Sequence, residues 1–208
     1  MSTSGANITF IIMCSALVFF MTPGLAFFYS GMVRRKNALN TLMACFFICG
    51  LASVLWMAVG YSLSFGTDHA GIIGGFDHLF FKDVSTQPGE DGAIPDALFG
   101  AFQMMFAIIT PALICGSLVE RIKFSKLVAF TALWSLLVYY PLAHMVWGGG
   151  LIDGLGSVDF AGGNVVHISS GVSGLVACMI LGKRKGYGAV SYKPHNVPFV
   201  VLLSLIHI

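Results

Sequence analysis

Apolar residues in this chain fall in long unbroken runs rather than at short alternating intervals. Five runs, over residues 8–33, 38–65, 97–119, 127–147 and 160–182, contain no Asp, Glu, Lys or Arg. About 20 apolar residues cross the hydrocarbon core of a bilayer as a helix, so each run predicts a span. A sixth run, 197–208, begins another. Lipid tolerates only helices and closed barrels, and barrel strands alternate over about 10 residues. These runs do not alternate. The pattern predicts an all-α polytopic membrane protein, five transmembrane helices plus the start of a sixth, in a single membrane domain over residues 1–208.

The polar positions between the runs set a direction. Arg34, Arg35 and Lys36 follow span one, Arg121, Lys123 and Lys126 follow span three, and Lys183, Arg184, Lys185 and Lys193 follow span five. The other loops carry Asp68, Asp77, Asp83, Glu90, Asp91, Asp96, Asp153 and Asp159, with Lys82 as their basic residue. The positive-inside rule then predicts the N-terminus outside and the basic loops in the cytoplasm. No basic segment precedes Ile8 and no small-residue cleavage site follows the first run, so span one reads as retained. Composition agrees: 57% hydrophobic and 10% charged residues, with a mean hydropathy of +0.86. Soluble domains carry about 25% charge, so lipid is the expected solvent.

Pro23 with Gly24, Pro111 and Pro141 lie inside spans and predict kinks. The 25 glycines allow close helix approach or an internal passage. All five cysteines, Cys14, Cys45, Cys49, Cys115 and Cys178, fall within spans and read as packing residues; neither a disulfide framework nor a metal site is expected. In the long 66–95 loop, Phe76, Phe80 and Phe81 read as anchors of an exposed lid.

An ionisable side chain inside a span is costly and points to function. His167 and His144 are the candidates. Asp159 stands where an N-cap of span five belongs, and His167 follows eight residues later, about 12 Å deeper at helical rise. Gly163, Gly171 and Gly174 share its face, leaving a cavity or room for another backbone. Structural and functional roles for His167 are evenly balanced on this pattern; His144, near the outer boundary, reads as structural. Phe102 and Phe106 share a helix face, and Trp147 ends span four before three glycines. A cation can be held on such aromatic faces, although interfacial packing explains them as readily. No nucleotide loop, catalytic nucleophile or zinc spacing is present, so no enzyme activity, cofactor or nucleic-acid partner is expected.

The segment Asp159-Phe160-Ala161-Gly162-Gly163-Asn164-Val165-Val166-His167 resembles the signature of the ammonium transporter (Amt/Rh) family. Pro23-Gly24-Leu25-Ala26-Phe27-Phe28-Tyr29-Ser30-Gly31, His144-Met145-Val146-Trp147-Gly148-Gly149-Gly150 and Lys193-Pro194-His195-Asn196 resemble its bacterial Amt branch rather than Rh-type gas channels. The resemblance runs from about Thr9 to Leu202. It implies the first half of an inverted-repeat transporter fold, and for the complete protein a homotrimer with one pore per subunit and a cytosolic PII-type regulator. It implies that Trp147 and Phe106 recruit ammonium, Asp159 supports that site from behind, and Tyr139 lies in the vestibule. Phe106, with Phe102, implies a gate, and His167 one of two pore histidines.

The implied function is passage of ammonium/ammonia across the inner (plasma) membrane by recruitment, deprotonation and movement along a histidine-lined pore. After Leu202 the resemblance stops, and Leu203–Ile208 read as a truncation carrying unrelated residues, with no role for His207. The second gate phenylalanine and partner histidine are expected in a missing half, so the fragment is expected not to conduct. Two rivals remain: an Amt-like ammonium sensor domain, which would continue into a signalling module, and a haem protein ligated by His144 and His167.

Overall fold

The computed structural model describes residues 3–89 and 93–204. Glu90, Asp91 and the tail with His207 lie outside the described residues. Among those described, five helical stretches are long and apolar enough to cross a membrane: Gly5–Met32, Arg35–Phe65, Asp96–Leu118, Phe124–Gly154 and Gly163–Leu181. Their boundaries lie within a few residues of the apolar runs, except that span four continues seven residues past Trp147.

Helix α1 (Thr3–Met32) packs on α2 (Arg35–Leu55) and on α4 (Asp96–Leu118). Helix α4 also touches α2 and α8 (Ser169–Leu181), so it stands at the centre of the bundle. Its small residues Ala107, Ala112 and Gly116 allow this. A Cβ on Gly116 would stand 2.3 Å from the Tyr29 ring. That bare position lets the Tyr29 hydroxyl donate to the Leu113 carbonyl at 2.9 Å, tying α1 to α4.

Pro23 and Pro111 are both accommodated within continuous helices. Near Pro141 the departure is a π-helical turn, Ser135–Tyr139, between α5 (Phe124–Trp134) and α6 (Tyr140–Trp147). A second π turn, Trp56–Gly60, joins α2 to α3 (Tyr61–Phe65). A third, Gly163–Ile168, opens span five before α8. One extra residue per turn rotates all later side chains on the helix, and such turns gather at functional sites.

At the end carrying the acidic loops, β1 (Asp68–His69) and β2 (Ile73–Gly74) form a small antiparallel hairpin. It fixes Asp68 beside His144, which is fully buried. His144 Nε2 lies 2.9 Å from Asp68 Oδ1 and Nδ1 3.0 Å from the Ser64 carbonyl. Both ring nitrogens are engaged, so His144 ties span four to the hairpin and offers no nitrogen to a haem. The hydrogen bond from His144 holds the Asp68 carboxyl below its ordinary range. Of the lid aromatics, Phe76 and Phe80 are exposed, whereas Phe81 packs on Tyr61 with ring centroids 4.7 Å apart. A short helix, α7 (Leu151–Gly154), ends span four, and α9 (Val197–Ser204) begins the sixth run. The latter docks on α1, where Phe27 and Phe199 meet edge to face at 5.8 Å.

Candidate functional site

Span five begins later than the sequence suggests. Its first π turn starts at Gly163, with Gly162 in the left-handed region at φ +86°. The chain therefore turns sharply between Asp159 and the helix. Asp159 still serves as the cap, but from outside the turn. Its Oδ1 accepts the Gly162 and Gly163 N–H groups, both at 2.7 Å. Its Oδ2 accepts those of Asn164 at 2.8 Å and Val165 at 3.0 Å. One carboxylate thus satisfies four N–H groups at the positive end of the helix. Burial pushes the Asp159 carboxyl up, but the four N–H bonds outweigh it and hold the group below the ordinary carboxylate range.

The same residue orients the indole of Trp147, whose Nε1–H donates to the Asp159 carbonyl at 2.9 Å. Trp147 then meets Phe106 edge to face at 6.0 Å, and Phe106 meets Phe102 at 5.1 Å with perpendicular rings. These three aromatics and Asp159 line a cleft of about 380 Å³, together with Phe99 and Gln103. Gln103 was not apparent from the sequence, although its position one residue after Phe102 is legible in hindsight.

Tyr139 does not line this cleft. It is 1% exposed, and its side chain lies beside that of Thr110. Thr110 Oγ1 in turn donates to the Phe106 carbonyl at 2.5 Å. Tyr139 therefore stands behind Phe106, with Thr110 between them.

Phe102, Phe106, Phe160 and Ala161 are shared with a second, largely apolar cleft of about 580 Å³ that reaches Val166 and His167. His167 is shared in turn with a third cleft of about 420 Å³, walled by Tyr29, Ser117, Gly171, Gly174 and Cys178. The clefts form one groove running from Trp147 towards the basic-loop end. Of the bare glycine face expected beside His167, Gly171 and Gly174 wall this groove, whereas Gly163 lies by the Asp159 carboxylate. His167 is exposed on the groove, with Nδ1 2.9 Å from the Gly162 carbonyl. A carbonyl only accepts, so in the neutral ring Nδ1 carries the proton and Nε2 keeps its lone pair. Among the described residues, no group of three or more His, Cys, Asp or Glu side chains could hold a metal ion.

Residues 9–206 match the model of the Ammonium Transporter Family, four residues further than the motifs alone carry the resemblance. The chain is 50% identical over 194 residues to the ammonium transporter of Bacillus subtilis, covering 93% of this chain and 47% of that one. The crystal structure of Saccharomyces cerevisiae Mep2 superposes with a TM-score of 0.85 at 39% identity, over 97% of this chain and 46% of that one. The structure of a sensor Amt protein superposes with a TM-score of 0.89 at 28% identity, over 98% and 52%. The chain spans about half the length of the curated relatives it matches.

Proposed function

This chain belongs to the ammonium transporter family, and from that membership we propose that it forms the recruiting half of a subunit that moves ammonium/ammonia across a membrane. The observation that carries the reading is the continuity of the aromatic cleft at Trp147 with the groove at His167. With the N-terminus outside, as the loop charges favour, the cleft opens outward.

NH4+ is held against the faces of Trp147 and Phe106 by cation–π attraction. Asp159 does not touch it. It fixes the helix start and the indole, and Tyr139 stands behind Phe106. Dehydrating NH4+ inside an apolar groove is costly, and NH3 avoids that cost. The ion therefore gives up one proton at the Phe102–Phe106 gate, to water of the outward cleft, and NH3 continues past His167, where the Nε2 lone pair can accept an N–H. In the complete protein, a homotrimer with a PII-type cytosolic regulator is the assembly the family resemblance implies.

The test is methylammonium uptake by the complete protein, with membrane currents recorded alongside to follow the proton. Trp147→Leu should raise the half-saturating concentration about tenfold, as expected when a desolvated cation–π contact of about 1–2 kcal/mol is lost. An unchanged affinity would remove the recruitment site from this cleft. A second reading, an ammonium-sensing membrane domain, is favoured by the fit to the sensor Amt protein. Binding without flux in the complete protein would select it.

A further inference from the structure

The groove ends in a fourth cleft of about 520 Å³ at the basic-loop end, joined to the third through Cys178. Arg121, Lys183, Arg184, Tyr187 and Tyr192 line it, and none of its described lining residues is acidic. Arg121 reaches furthest in. Its Nη2 donates to the Ser117 carbonyl and to Cys178 Sγ, the latter at 3.0 Å, and Nη1 donates to the Gly182 carbonyl at 2.9 Å. Ser117 and Cys178 also wall the cleft that contains His167. The guanidinium therefore sits where the groove empties.

The carboxylate next to Arg121 in sequence is turned away from it. Glu120 adopts a left-handed backbone, φ +64°, unusual for a residue with a side chain. Its carboxylate is 1% exposed and lies 3.1 Å from Arg34 Nε, 2.5 Å from Asn37 Nδ2 and 3.5 Å from Arg184 Nη1. Glu120 and Arg121 are thus separated, the acid facing the loops and the base facing the groove. Backbone carbonyls and a sulfur surround Arg121 without cancelling its charge, and its Nε is buried with no partner. Capping the last carbonyls of α8 explains the Gly182 bond, but not the split of the adjacent charges.

We propose that Arg121, with Lys183 at the rim, is a cation filter at the basic-loop mouth of the groove. The proposal rests on the transport reading above. Cation–π attraction at Trp147 acts on K+ as well as on NH4+, so a second discriminator is useful further along. A fixed positive charge where the groove opens to the basic-loop end repels any cation crossing intact and leaves neutral NH3 unopposed.

The experiment compares K+ and methylammonium fluxes in proteoliposomes containing the complete protein, for wild type, Arg121→Gln, Arg121→Lys and Lys183→Gln. Arg121→Gln should raise the ratio of K+ to methylammonium flux about tenfold, Arg121→Lys should restore it, and Lys183→Gln should raise it about threefold. A ratio unchanged in folded Arg121→Gln overturns the filter, as does an Arg121→Lys protein that behaves like Arg121→Gln. Should Arg121→Gln fail to fold, an unchanged ratio in Lys183→Gln overturns it instead. Absence of methylammonium flux in the wild type would instead overturn the transport reading on which the filter rests.

Discussion

Asp159 carries two loads that a mutation separates. Its side chain gathers the four N–H groups of the 162–165 turn, and its carbonyl aims the Trp147 indole. Asp159→Asn keeps the size but replaces one acceptor oxygen with a donor, which leaves two of those N–H groups without a partner. We expect methylammonium uptake by the complete protein to fall at least about tenfold, since an unpaired polar group costs about 1–3 kcal/mol, with Trp147 fluorescence shifting in parallel. An Asn variant with wild-type uptake would show that the turn holds without the charge. Because the folded carboxyl lies below its ordinary value, its contribution is complete above the unfolded value of about 3.9. It disappears only as the pH falls through the depressed folded value, so fluorescence should be flat from pH 8 to 5. At this scale Asp159, Trp147 and His167 stood out in the sequence as charged or aromatic residues at span ends and on a bare face. Their mutual contacts did not, because Gly162 turns the chain in a way that helical periodicity does not encode.

The five spans were legible because uncharged runs of that length have one outcome in lipid. The π turns were not, since one added residue barely disturbs an unbroken apolar run. Glu120 was also missed: in sequence it is a lone acid beside basic residues, and only its left-handed backbone brings it to Arg34, Asn37 and Arg184. Glu120→Gln should lower the stability of the complete protein by about 1–3 kcal/mol, because it leaves charged partners less than fully compensated. Thermal unfolding in detergent measures this, and a loss below about 0.5 kcal/mol would make the cluster a surface feature. Burial raises the Glu120 carboxyl, and the bonds from Asn37 and Arg34 lower it by more. Its stabilisation is therefore whole above the unfolded value of about 4.3 and is lost as acid titrates the folded, depressed group. Gly116→Ala tests the centre of the bundle, where a Cβ meets the Tyr29 ring at 2.3 Å. Overpacking there should cost about 1–3 kcal/mol.

On the scale of the molecule, the groove from Trp147 to Arg121 is an open surface of adjoining clefts. Phe160 is 98% exposed and Val158 87% exposed, and His167 is exposed on the groove. Apolar surface of this kind marks a contact face, and in the proposed transporter subunit the second half of the inverted repeat would cover it. These 208 residues reconstituted alone should give no selective ammonium flux, and flux matching the complete protein would show that they suffice. The central claim is that His167 lines the path taken by the substrate. Its most direct test is methylammonium flux and the accompanying current through the complete protein carrying His167→Ala. We predict a change of about tenfold or more in flux or in the charge carried per molecule, the effect of one positioned proton-handling group at the low end of its range. Flux and current both equal to wild type would contradict the account.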